Sequence, residues 1–306
     1  MVNIWHRGKT KLNRLLGNSP PNTRTAHESA RRLPQESVET IIAYLSHDLD
    51  TLKACSLTCH SWYIVAAPHL HHTLTLREEK PALTHDKTNL KSARDKLKPL
   101  SKLHDLGLVS LVEEIRVEQR VEGRYGENSW FVPHKFGHRD LRYFSAFVNV
   151  RTLRLQNLEI YRFIPGVEHY FGHFSPMLQS IALLEPRCTP RQLSYFLSLF
   201  SNLENIEIER TGAPNTATTD TELVPFSAPK LRGRLALYDF GWVETWSHLI
   251  TSCNGLRFRH VDLRGSVGCT PLLLEACAGT LETLRFNVTD GPVGKQFFTR
   301  SSVDSR

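Results

Sequence analysis

The 306 residues are enough for one large domain or two modest ones with buried cores, and 40% apolar with 23% charged residues is ordinary for a globular protein. No apolar run reaches the roughly 18 residues of a membrane-spanning helix, the N-terminus lacks a secretory-type apolar stretch, and six cysteines spread over this length exclude a disulfide framework and point to the cytoplasm or nucleus. The formal charge of +7 sits in two segments, 1–32 with seven Lys/Arg against one Glu and 77–104 with eight against four, which leaves the rest slightly acidic and excludes a folded surface built to read nucleic acid.

In chain order, residues 1–30 read as a disordered basic tail around Arg7, Lys9, Lys11 and Arg14. The alternative is a short basic helix with Leu12, Leu15 and Leu16 on one side, the pattern of a targeting or membrane-surface segment. From Leu33 the pattern changes. Val38, Ile41, Ile42 and Leu45 fall at i, i+3, i+4 and i+7, which predicts an amphipathic helix with Pro34 at its first turn. Asp48 is placed to cap a second helix, with Leu49 and Leu52 packing inward. Cys55, Cys59, Trp62, Tyr63 and Ala66 keep helical spacing until Pro68, which is expected to stop the run. Three helices in so few residues bury little surface, so the unit expects a partner.

This stretch, residues 31–76, resembles an F-box, the helical module that joins a protein to a ubiquitin ligase. Leu33, Pro34 and Glu36 match the family's opening, and Val38, Ile41, Ile42 and Leu45 its first helix. Leu52, Cys55, Ser56, Leu57, Thr58, Cys59 and Trp62 match its second half, and Ala67-Pro68-His69-Leu70 is similar to the ending of fungal members. Ser37 departs from the pattern, where a large aliphatic is usual. The resemblance implies that Leu33, Pro34, Val38, Ile41, Leu45, Leu52, Leu57 and Trp62 contact a Skp-type adaptor or support that contact; spacing alone leaves open which face the partner and which fill the core.

Residues 77–104 read as a basic linker or helix. Beyond them a spacing of apolar-x-x-apolar-x-apolar recurs seven times, at Val112/Ile115/Val117, Val150/Leu153/Leu155, Leu178/Ile181/Leu183, Leu203/Ile206/Ile208, Leu231/Leu235/Leu237, Phe258/Val261/Leu263 and Leu281/Leu284/Phe286. The fifth copy has one extra residue, and successive copies lie 38, 28, 25, 29, 26 and 23 residues apart. The last two apolar positions of each copy suit a short strand whose alternate residues point inward. Between them lie helical candidates at Leu193, Phe196, Leu197 and Phe200 after Thr189-Pro190, at Val243, Trp246, Leu249 and Ile250, and at Leu273, Ala276 and Cys277 after Thr270-Pro271. The expected class is α+β overall: a three-helix module followed, over 105–290, by an α/β solenoid resembling degenerate leucine-rich repeats, with a curved parallel sheet. An ordinary α/β domain with similar alternation is the alternative. Residues 291–306 read as a disordered tail.

In such a sheet the residue between each inward pair faces outward. That row is Arg116, Arg154, Ala182, Glu207, Ala236, Asp262 and Arg285, with Arg116, Arg154, Glu207, Asp262 and Arg285 as a candidate target-binding face for a polypeptide of mixed charge. The loop 121–139 holds Tyr125, Trp130, Phe131 and Phe136, which either pack back on the fold or, as Trp130 and Phe131 suggest, meet a partner. Residues 211–229 read as a polar excursion. No phosphate-binding glycine loop, nucleophile elbow or zinc-protease motif occurs, and no cofactor is expected. Cys55, Cys59 and His60 lack the second ligand pair that zinc needs and are expected to be core cysteines beside an ordinary histidine; Glu113-Glu114 reads as a solvated edge.

The resemblance implies a non-enzymatic substrate receptor of an SCF-type cullin-RING ligase, holding a Skp-type adaptor and an unknown target protein, with neither nucleic acid nor membrane as partner. An F-box scaffold that delivers no substrate is the alternative.

Overall fold

The computed structural model describes residues 33–77, 103–119, 144–164, 166–210, 229–239, 256–265 and 270–287, with Leu223 and Ser247. The tails, most of 77–104, the aromatic loop 121–139, most of 211–229 and the helical candidate at Val243–Ile250, apart from Ser247, lie outside the described residues. The chain divides into two compact units, Met1–Ala66 and Ala67–Arg306.

The first unit is helical. Helix α1 spans Gln35–Tyr44 behind Pro34, whose extended ψ of 147° lets its carbonyl accept from Ser37 and Val38 N–H. Helix α2, Leu49–Ser56, is capped by Asp48, whose carboxylate accepts from the Asp50 and Thr51 N–H groups and from the Thr51 hydroxyl. Those bonds, the hydroxyl first, hold the Asp48 carboxyl below the usual carboxylate range. Helix α3, His60–His71, begins in this unit, continues past its last residue Ala66, and runs through Pro68 instead of stopping there. The proline lies in the last turn, where it forfeits one N–H bond and the helix has little length left to lose.

The second unit is built on one eight-stranded, all-parallel sheet in sequential order. Its strands are β1 (Thr73–Arg77), β2 (Glu114–Glu118), β3 (Thr152–Gln156), β4 (Ser180–Leu184), β5 (Asn205–Glu209), β6 (Arg234–Tyr238), β7 (His260–Arg264) and β8 (Thr283–Asn287). Strand β1 precedes the seven copies read from the sequence. The expected boundary after Leu76 falls inside it, because Leu74 and Leu76 stand in register with Ile115 and Val117 of β2.

Each strand from β2 to β7 sends its second and fourth residues into one continuous core, from Ile115 and Val117 through to Val261 and Leu263, which also takes Leu193, Phe196, Leu197 and Phe200. Those last four belong to or follow helix α5, Pro190–Ser198, whose Thr189 cap accepts from Gln192 N–H while the Gln192 side chain accepts from Thr189 N–H. Helix α4 is Val167–Phe171 and α6 is Thr270–Cys277. Cys188 and Cys277 are buried, and burial pushes both thiols up, away from reactivity. Thr189→Ala removes one half of a reciprocal cap and is expected to cost about 1 kcal/mol, read as a lowered urea midpoint with unchanged slope.

The repeat spacing has a backbone cause. At the start of a strand two successive N–H groups converge on one carbonyl of the preceding copy: Glu113 and Glu114 on His72, Arg151 and Thr152 on Glu113, Gln179 and Ser180 on Arg151, Glu204 and Asn205 on Gln179. Arg259 and His260 do the same on Gly233, and Glu282 and Thr283 on Arg259, all within 2.8–3.2 Å. At β6 the extra residue breaks the rule. Leu231 turns to φ 43°, Gly233 N–H reaches Glu204 O, and Arg234 N–H is satisfied by the Asn205 side-chain oxygen at 2.8 Å. A Cβ on Gly233 would collide with that same oxygen, which is why glycine stands there.

The residue after each strand from β3 to β7 is left-handed: Asn157, Glu185, Arg210, Asp239 and Gly265. Each gives its N–H to the last residue of the next strand, at 2.7–2.9 Å. This turn ends the strand and starts the connection. Four non-glycine residues accept a conformation that disfavours a Cβ, so the hydrogen bond and the packed strand must hold it.

Candidate functional site

Two surfaces bring the sequence-derived candidates together, one on each unit. In the helical unit Val38, Ile42, Leu52 and Ala66 are buried. The other apolar candidates are not. Leu33 is 55% exposed and Leu57 81%; Ile41 is also exposed, Leu45 and Trp62 are half-buried, and Pro34 is exposed. Tyr44 at 90%, Leu49 and Ile64 join the exposed set. Leu49 was expected to pack inward, but it is the first residue of α2 and Leu52, three residues on, takes the inward place. The cysteines also differ from expectation: Cys55 is half-buried and Cys59 exposed. The Cys59 thiol lies 3.1 Å from the Ser61 hydroxyl, and that bond, followed by the Trp62 N–H, lowers its pKa.

The second surface is the polar face of the sheet. Pairing places Thr75, Arg116, Arg154, Ala182, Glu207, Ala236, Asp262 and Arg285 side by side in one row across all eight strands. The period of two adds rows on either side, including Glu114 and Glu118 of β2, Arg234 and Tyr238 of β6, and His260 and Arg264 of β7. Outward direction does not give the uniform exposure expected of the central row. Arg154 and Arg285 are exposed and Arg116 and Glu207 half-buried, whereas Ala182, Ala236 and Asp262 are buried. Longer neighbours cover the short side chains. Asp262 accepts from Arg264 Nε at 3.1 Å on Oδ1, and from Arg234 at 3.1 Å and Arg264 at 3.0 Å on Oδ2.

A second carboxylate is held the same way at the other end. Glu114 is buried, not a solvated edge, because Arg116 grips it bidentately at 2.8 and 2.9 Å, Arg154 approaches to 3.1 Å and the Thr73 hydroxyl donates at 3.0 Å. Burial opposes its charge, but the Arg116 and Thr73 hydrogen bonds and the two arginine charges outweigh burial and lower its pKa. Arg154 also lies 3.8 Å from Glu207, so it links β2 to β5. Arg77 pairs with Glu118 at the edge. Beside Asp262, Arg264 lies 4.9 Å over the Tyr238 ring, and its hydrogen bond to Asp262 raises its pKa.

The face therefore has two characters. From β1 to β5, Arg77, Arg116 and Arg154 meet Glu114, Glu118, Glu207 and Glu209 in near balance. From β6 to β8, Arg234, Arg264 and Arg285 meet Asp262 alone. Arg234 and Arg264 were absent from the sequence-derived face. Both were findable by alternation, Arg264 as the i+2 neighbour of Asp262 and Arg234 as the i−2 neighbour of Ala236.

Trp130 and Phe131 lie outside the described residues. Among the described residues no group of three or more His, Cys, Asp or Glu is placed to hold a metal ion, and no helix is long and apolar enough to cross a membrane. Comparison with protein-family models, with curated proteins and with solved structures gives no match.

Proposed function

We propose that the chain is a substrate receptor of an SCF-type cullin-RING ubiquitin ligase, with residues 31–76 acting as an F-box on a Skp-type adaptor and the sheet unit acting as a leucine-rich-repeat-like solenoid that holds a target protein. The observation that carries this reading is the surface of the helical unit. Leu33, Ile41, Tyr44, Leu49, Leu57 and Ile64 stand exposed around a core of only a few buried apolar side chains. Among the described residues the sheet unit, with far more chain, exposes Leu106, Val148, Met177 and Phe286. An apolar surface this dense on a unit this small favours a protein partner that covers it. The sequence pattern from Leu33 to Trp62 supplies the partner's class.

In this reading the chain performs no chemistry. It raises the concentration of a target's lysines near a ligation centre carried elsewhere in the complex. The near-balanced charge of β1 to β5 supports a polypeptide as the molecule held on the sheet.

Leu33 and Pro34 are exposed and precede α1, so changing both to alanine leaves the sheet unit untouched. Affinity capture of the Leu33→Ala/Pro34→Ala variant with proteasome activity blocked is expected to lose the adaptor and cullin while candidate targets stay. Adaptor capture equal to wild type would sink the F-box reading. Capture of the adaptor by wild type with no target ubiquitination would leave the non-delivering scaffold.

A further inference from the structure

The C-terminal third of the polar face carries a depression of about 330 Å³ lined by Arg234, His260, Val261, Asp262, Thr283 and Arg285. Its one carboxylate is already saturated, since Asp262 receives three guanidinium N–H contacts on its two oxygens. Its cations are not. Arg234 commits a single Nη2 to Asp262 and keeps its other side-chain donors. Arg285 stands in register with Asp262 one strand further on, and its guanidinium has no hydrogen bond or ion pair among the described residues.

We propose that this depression seats the carboxylate of an aspartate or glutamate from an extended acidic segment of a partner polypeptide, held between Arg285 and Arg234. The inference deepens the reading of the sheet as a target-binding surface and rests on it. Strands two apart lie about 10 Å from each other, so guanidinium groups rising from β6 and β8 can reach one carboxylate from both sides, each offering the paired donors that a planar carboxylate accepts. Asp262 holds Arg234 and Arg264 in place before anything binds, which reduces the side-chain ordering left for binding. Thr283 and His260 add polar groups at the rim.

Charge selects the occupant. Three arginines against one aspartate give β6 to β8 an excess of two positive charges, whereas β1 to β5 carry four glutamates against three arginines. A nucleic-acid backbone laid along the row would gain at one end and be repelled at the other. A peptide with an acidic residue at the β6–β8 end and neutral or basic residues beyond it meets no such conflict.

The test uses the full chain and a fluorescein-labelled ten-residue peptide of alternating Glu and Gly, followed by anisotropy at low salt. Saturable binding is expected, falling at least tenfold in Arg234→Ala/Arg285→Ala. It should persist in Arg191→Ala, which removes one positive charge from an exposed position on α5. Arg285→Lys should retain part of the affinity, since it keeps charge but loses the fork. Thermal melting of the double variant, whose two changed side chains are exposed, checks that the sheet is intact. Equal binding by wild type and the double variant overturns the proposal. So does equal binding of a Lys-Gly peptide, or arginine-dependent binding of a phosphoserine peptide or duplex DNA where the Glu peptide fails. Adaptor capture is read separately with the wild-type chain: its absence with peptide binding intact would count against the F-box reading alone, and its presence with peptide binding absent against the depression alone.

Discussion

Phe196→Ala is expected to lower the stability of the sheet unit by about 3–5 kcal/mol, the largest effect of any single substitution considered. Phe196 is completely buried on α5 and packs edge-to-face on Phe171 at 5.3 Å and on Phe200 at 5.4 Å, and Phe171 in turn meets Phe163 at 5.4 Å. Truncation removes the apolar area of a phenyl ring, leaves a cavity that a continuous core cannot close, and breaks two aromatic contacts. A domain of this kind has only about 5–15 kcal/mol in all, so the loss is a large share of the total. Urea unfolding followed by far-ultraviolet dichroism measures it. Phe286→Ala on β8 serves as the comparison, because Phe286 is 37% exposed and should cost well under half as much. Equal losses at the two positions would contradict the packing of α5 against the strands.

That core was legible in the sequence for a definite reason. Inward pairs such as Leu153/Leu155 and Ile206/Ile208 repeat with the same inner spacing, and each copy must place them identically because the next strand hydrogen-bonds to it. Thr189-Pro190 announced α5 because a cap and a first-turn proline are local features. Strand β1 was hidden because Thr73–Arg77 follows a helix directly, and its two leucines look like the end of that helix until β2 is laid beside them.

The polar face was legible in direction and not in accessibility. Alternation predicts that Asp262 points away from the core, and it does; only the reach of arginines on two strands decides that it is covered. Glu114 shows the same limit, since Thr73 and Arg154, which help bury its carboxylate, lie 41 and 40 positions away along the chain. In the helical unit, spacing located α1 and α2 but did not separate Leu52, fully buried, from Leu57, mostly exposed five residues later. Burial on so small a module depends on which helix faces which, and periodicity says nothing of that.

Acidification is expected to destabilise the sheet unit through His173. Its ring lies tilted against Phe174 at 4.0 Å and 6.5 Å from Phe144, and its Nε2 is buried without a hydrogen-bond partner among the described residues. Burial among these rings penalises the imidazolium and lowers the pKa from 6.5 to about 4. The unfolded chain therefore binds a proton near pH 6.5 that the folded chain resists until about pH 4. Between these values the unfolded state holds more protons, so stability rises with pH. Its contribution is complete above pH 6.5, falls as the pH drops through the window, and is lost near pH 4. The drop is on the order of 3 kcal/mol from this one group. Carboxylates held by arginine, Glu114 among them, lose their contribution at the lower end of the same titration, so the wild-type curve alone does not isolate the histidine. The difference from His173→Leu does. Leucine fills the apolar site without a titrating group, and unfolding free energies measured from pH 7 to pH 4.5 should fall more steeply for wild type than for the variant, with the gap opening below pH 6.5. Parallel curves would mean that the ring reaches water in the folded protein.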